Sequence, residues 1–161
     1  MEVIRTLARL QSIADRFLEW QTPRFAAPAA SEAIHELERV AGTRLPGDLR
    51  AFLERLDEIV AMDIHNGYWL GGTGALTRSV LRNDFPKELK TGGSLIQALP
   101  VATDGGGNAF LVASDGGGVW RWDHETRNTA QVATSFSKFL ARVADDWEHA
   151  AADDPDWAFL V

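Results

Sequence analysis

Cysteine is absent from the 161-residue sequence, which excludes disulfides, thiolate nucleophiles and cysteine-based zinc sites together. No run of about 18 apolar residues occurs, so no membrane-spanning helix is expected. The opening MEVIRTLARL lacks the basic start, apolar middle and small-residue cleavage site of a secretory signal, which makes the cytoplasm the expected location. Positive charge is missing from one end. Residues 143–161 carry six acidic side chains and no lysine or arginine, whereas residues 1–142 carry 17 acidic and 16 basic ones. The formal charge of −7 is therefore a C-terminal feature, and with no basic patch to meet phosphates the chain is not read as a nucleic-acid binder. A basic protein is its natural counterpart.

What remains is ordinary for a globular protein: 45% hydrophobic and 24% charged residues in a length that suits one domain with a single core. The most informative stretch is Leu99–Glu125. Ala109–Ala113 and Val119–Asp123 are strand-like and are joined by Ser114-Asp115-Gly116-Gly117-Gly118, which predicts a β-hairpin. A second glycine cluster, Asp104-Gly105-Gly106-Gly107-Asn108, precedes it. Alternation along Val119–His124 places Trp120, Trp122 and His124 on one face, and the tryptophan face is expected to be the core.

Val3, Leu7, Leu10, Ala14 and Phe17 recur at helical spacing, predicting an amphipathic helix over Glu2–Trp20 that packs on the body or on another subunit. Pro23 and Pro28 mark the following segment as a connector. Ser31 is the expected N-cap of a second helix bearing Ile34, Leu37 and Val40, which stops at Gly42. Leu45-Pro46-Gly47-Asp48 opens a third, with Leu49, Phe52, Leu53 and Leu56 facing inward. Asn66-Gly67 predicts a tight hairpin between Met62–His65 and Tyr68–Leu70. Residues 71–98 carry little periodicity: a short helical turn at Leu76–Arg82, then irregular surface over Asn83–Gly93, then a lead into the sheet at Ser94–Leu99. A short strand is expected at Ala130–Ala133. Thr134 or Ser135 caps the clearest helix, in which Phe136, Phe139, Leu140, Val143 and Trp147 form one stripe.

Chemistry is hard to build from these residues. The glycine clusters lack the Lys-Ser/Thr ending of a phosphate loop and introduce no helix, so they read as tight turns. Asp104, Asn108 and Asp115 lack the alternating spacing of a calcium loop, and His35, His65, His124 and His149 form no close ligand pair; no metal is assigned. A hydrolase built on Asp104, Asp123, His124 or Glu125 would need paired carboxylates, but Asp123 and Glu125 fall on the Arg121 face, where pairing or solvation explains them. No catalytic residue and no cofactor is assigned.

Several separated pieces, in order, carry a resemblance: Ile34-His35-Glu36-Leu37-Glu38, Leu45-Pro46-Gly47-Asp48-Leu49, Phe52-Leu53, Asn66-Gly67, Pro100–Asn108, Val119–Glu125 and Ser135–Leu140. Together they resemble the SUKH superfamily, which takes in the fungal cell-wall-synthesis regulators of the Smi/Knr type and many bacterial proteins. The resemblance implies a single α+β domain, a mainly antiparallel sheet packed by N-terminal and C-terminal helices, without enzymatic activity. It gives Leu45, Pro46, Asp104, Gly106, Asn108, Trp120, Trp122, Asp123, His124, Phe136 and Phe139 as structural motif residues. The expected division is an N-terminal helix and linker over 1–30, the SUKH-like domain over 31–150 and an acidic tail over 151–161. Many bacterial members look like immunity proteins that neutralise a toxin, often a nuclease; others are regulators or scaffolds. On that basis a basic toxin domain is the expected partner, with Asp145, Asp146, Glu148, Asp153 and Asp154 as the expected contacts.

Overall fold

A computed structural model describes residues 2–161. In chain order the elements are α1 (Glu2–Ala14), β1 (Arg24–Phe25), α2 (Ser31–Ala41), α3 (Gly47–Leu53), β2 (Glu58–Ala61), β3 (Tyr68–Gly71), α4 (Thr73–Arg82), β4 (Glu88–Thr91), β5 (Ser94–Thr103), β6 (Ala109–Ala113), β7 (Val119–Trp122), β8 (Thr129–Ala133) and α5 (Phe136–Ala151). The strands form one antiparallel sheet in the order β1-β2-β3-β5-β6-β7-β8, with β4 folded against the first half of β5. This is the α+β architecture that the resemblance implies.

The main core lies between one sheet face and the helices. β3 sends Tyr68 and Leu70 into it, β6 sends Phe110 and Val112, and β7 sends Val119. From the helices come Leu7 and Leu10 of α1, Ile34 and Leu37 of α2, Phe52 of α3, and Phe136, Phe139, Leu140, Val143 and Trp147 of α5. The α5 stripe packs as its spacing predicts, and Ser135 caps the helix by accepting the Lys138 amide at 3.2 Å. The helix starts are tied to one another as well. Asp48 at the start of α3 accepts both the amide and the hydroxyl of Ser137, at 2.8 and 3.1 Å.

Five expectations need correction. The tryptophan face of β7 is not the main core: Trp120 and Trp122 are half-buried on the opposite face, over a smaller cluster of Leu89, Ala98, Ala109, Leu111 and Ala113, while Val119 fills the core. The reason is that β6 is buried on both faces, so alternation separates the two sides without saying which one the helices cover. Residues 71–98 are regular rather than irregular, with α4 a ten-residue helix and β4–β5 a hairpin turned by Gly92 and Gly93, both at positive φ. The first helix ends at Ala14, and a 3₁₀ turn at Glu19–Gln21 follows it. Ala30, not Ser31, occupies the N-cap of α2, without a side-chain cap. The β2–β3 hairpin exists, but its connection runs from Met62 to Gly67 instead of being a two-residue turn.

Candidate protein-binding surface

The motif residues hold the sheet together. The Asp104 carboxylate is buried in the β5–β6 turn, where it accepts the amides of Gly106 and Asn108 at 2.8 and 2.9 Å and the Asn108 side-chain amide at 2.8 Å. The Asn108 side-chain oxygen in turn accepts the His124 amide at 3.1 Å and lies 3.2 Å from His124 Nδ1. Gly105 donates to the Asn66 carbonyl at 2.8 Å, and a Cβ there would lie 2.4 Å from that oxygen. The β5–β6 turn is thus fastened to both the β2–β3 connection and the end of β7. Asp123 accepts the amides of Glu125 and Thr126 and closes its own turn. These bonds draw the Thr126 partners close and hold the Asp123 carboxyl below its ordinary value, the Thr126 amide contributing most and the Thr126 hydroxyl next. Leu45 and Pro46 are buried at the entry to α3, and Phe136 and Phe139 pack edge-on and tilted against Phe52 and Phe110. Each of these residues is engaged in structure, and a carboxylate fills the glycine-rich turn where a phosphate would have to sit.

The acidic C-terminal residues divide into three kinds. Asp146 departs from its expected place at a surface: it is fully buried and accepts the Tyr68 hydroxyl at 2.6 Å, the Trp157 indole N–H at 2.8 Å and the Leu160 amide at 2.9 Å. Arg142 Nε stands 3.5 Å from the same carboxylate, an ion pair without hydrogen-bond geometry. Burial, then the negative charge of Asp146, push the Tyr68 phenol far above its ordinary value. Asp145 and Glu148 face α1 instead, where Arg9 bridges both at 2.7 Å and Arg16 reaches Glu148 at 2.9 Å. Arg9, then Arg16, hold the Glu148 carboxyl below its ordinary value. Asp154 pairs with His149 at 2.7 Å, and that bond lowers its carboxyl too. Asp153 is exposed at a positive-φ position and its carboxylate has no partner among the described residues.

The chain after α5 folds back instead of leaving the surface. Trp157 stacks on His149 at 3.7 Å between ring centroids, and Arg142 lies over the indole at 4.6 Å while also donating to the Ala158 carbonyl. Leu160 and Val161 pack against the core. On the other side Phe17 meets Trp147 edge-on at 6.4 Å. The two chain ends thereby enclose a cleft of about 220 Å³ with the β2–β3 connection, walled by Phe17, Ile64, Pro155 and Phe159, with Gln21, Asp63, His65, Asp153 and Asp154 as its polar lining. His65, at positive φ, stacks on Phe159 at 4.3 Å. Next to these lining residues in the chain stand three of the largest exposed apolar side chains: Leu18 at 62%, Trp20 at 66% and Met62 at 56% exposure. None of Leu18, Trp20, Met62, Asp63 or Phe159 was singled out by spacing. The signal was Trp20 itself, a tryptophan just before a proline-marked connector.

The fold and its fastened turns define a single α+β domain whose motif residues serve the sheet and whose joined chain ends carry exposed Leu18, Trp20 and Met62 together with Asp63 and Asp153. The chain belongs to the SMI1 / KNR4 family (SUKH-1), whose model matches residues 28–142. That family includes immunity proteins and is made up generally of non-catalytic proteins that bind other proteins. No curated protein matches the chain. The matched span leaves out α1 with the segment that follows it, which supplies Phe17, and the last turns of α5 with the segment beyond, which supplies Pro155 and Phe159 to the cleft walls. Among the described residues no helix is long and apolar enough to cross a membrane.

Proposed function

We propose that the protein is an immunity protein that neutralises a basic toxin domain by stoichiometric binding. The observation that supports this most is the coincidence, at one place, of exposed Leu18, Trp20 and Met62 with the carboxylates of Asp63 and Asp153, which have no partner among the described residues. Apolar side chains of that size fit the buried centre of a protein interface, and free carboxylates beside them favour a cationic partner. A nuclease toxin fits, because a surface that attracts phosphate is positively charged. Of the five acidic residues expected from the sequence, Asp153 and Asp154 border this place and remain the contacts proposed. Asp145 and Glu148 are already neutralised by Arg9 and Arg16, and Asp146 acts only in the fold.

The test is rescue in cells. The C-terminal domain of the protein encoded immediately upstream is induced with and without this chain, and with a chain carrying Trp20→Ala and Met62→Ala. Growth restored by the native chain but not by the double variant, at equal soluble levels, supports the proposal. Toxicity undiminished by the native chain overturns it and moves weight to a regulatory or scaffold role.

A further inference from the structure

We infer that the cleft between the joined chain ends is a receptor for one arginine side chain presented by a protein partner, which deepens the binding role proposed above and rests on it. Three features point to arginine. First, the cleft volume of about 220 Å³ is below the roughly 300–1,000 Å³ of small-molecule sites, which suits a single side chain. Second, its walls are aromatic and aliphatic while its charged groups are the carboxylates of Asp63, Asp153 and Asp154, with Gln21 and His65 as the other polar residues: an aliphatic stem packs on Phe17 and Ile64 as the charged head meets Asp63 and Asp153. Third, His65 and Phe159 stand as a stacked pair, nearly parallel at 12°, and a planar guanidinium stacks flat on such a face, whereas a compact ammonium makes only a point contact with it.

Charge is available to such a guest because it is spent elsewhere around the cleft. Asp154 is held by His149, and Glu148 by Arg9 and Arg16, so Asp63 and Asp153 are left without an internal cation. An arginine seated between them makes two charge-assisted contacts in a partly enclosed space, where each is stronger than on open surface. Leu18, Trp20 and Met62 then close over apolar surface around the anchor and exclude water. Phe17, Asp153, Pro155 and Phe159 come from segments outside the family match and Asp63, Ile64 and His65 from within it, so the receptor is completed by segments flanking the matched domain.

The experiment titrates the isotope-labelled full chain with N-acetyl-arginine amide and follows amide and indole resonances by NMR. Neutral N-acetyl-citrulline amide and N-acetyl-lysine amide serve as parallel ligands. The expected result is saturable shifts at Gln21, Asp63, His65, Asp153 and Phe159, none with citrulline and weaker ones with lysine. Asp63→Asn with Asp153→Asn should weaken arginine binding by about tenfold, as loss of charge-assisted bonds does. An equal response to citrulline, an equal affinity for lysine, or no saturable shift at the cleft overturns the inference. The titration needs no toxin, so a failed rescue with an intact arginine response removes the immunity role alone, and the reverse result removes the arginine site alone.

Discussion

Replacing Asp146 with alanine separates a structural carboxylate from a binding one. The native side chain accepts three hydrogen bonds, from Tyr68, Trp157 and Leu160, and faces Arg142 at 3.5 Å. A hydrogen bond to a charged group is worth roughly 1.5–3 kcal/mol. Trp157 and Leu160 are only partly buried and can turn to water once released, so most of their share is recovered. The Tyr68 hydroxyl is buried, and Arg142 loses the carboxylate that balances it. The net cost is about 3–5 kcal/mol, the scale of breaking one side of a buried ionic cluster. With a urea dependence of about 2 kcal/mol per M, the unfolding midpoint falls by roughly 2 M. Asp146→Asn keeps the shape but turns an amide toward a donor, and costs about 2–3 kcal/mol. Asp153→Asn, exposed and without a partner, stays within about 0.5 kcal/mol of the native chain. Urea unfolding followed by tryptophan fluorescence measures all three. An Asp146→Ala midpoint within about 0.3 M of native would refute the buried network.

Alkaline titration gives a second check, because Tyr68 is the only tyrosine. Its folded phenol titrates above the unfolded value, so the stability it contributes is complete below about pH 10 and is lost as pH rises beyond it. Phenolate absorbance should therefore appear together with loss of circular dichroism; ionisation near pH 10 in a folded chain contradicts the burial. Gly105→Ala drives a Cβ to 2.4 Å from the Asn66 carbonyl and should cost about 1–3 kcal/mol in thermal or urea unfolding, whereas Gly47→Ala, with nothing within 4 Å, should be neutral or gain about 0.5 kcal/mol. A double-mutant cycle on Arg9 and Glu148, both about two-fifths exposed, should give a coupling below about 1 kcal/mol that shrinks as salt is added.

The helices were the legible part of the chain. Apolar stripes such as Phe136 to Trp147 have a period that only a helix satisfies, and the C-terminal stop at Gly42 is a left-handed position where glycine is preferred. The Asp104–Asn108 turn was legible as a turn, though not as the fastening of two other strands, because the Gly105 bond to Asn66 spans segments far apart in sequence. Strand alternation gave the two faces of β7 but not their assignment, since both faces of β6 are covered. Residues 71–98 were opaque because α4 and β4 are held by long-range packing of Leu76, Val80 and Leu89 rather than by strong local pattern. The acidic end misled for a related reason. Charge density is visible in sequence, but its neutralisation by Arg9, Arg16 and His149 and the burial of Asp146 depend on α1 lying along α5 and the chain end folding back.

The most direct test of the central claim is a calorimetric titration of the full chain with the C-terminal domain of the protein encoded immediately upstream, at low and near-physiological salt. Binding of a basic partner at the joined ends predicts one-to-one association that weakens with salt, and a weaker affinity with a flatter salt dependence when Asp63 and Asp153 are changed to lysine. No binding at either salt, or binding indifferent to those two substitutions, contradicts it.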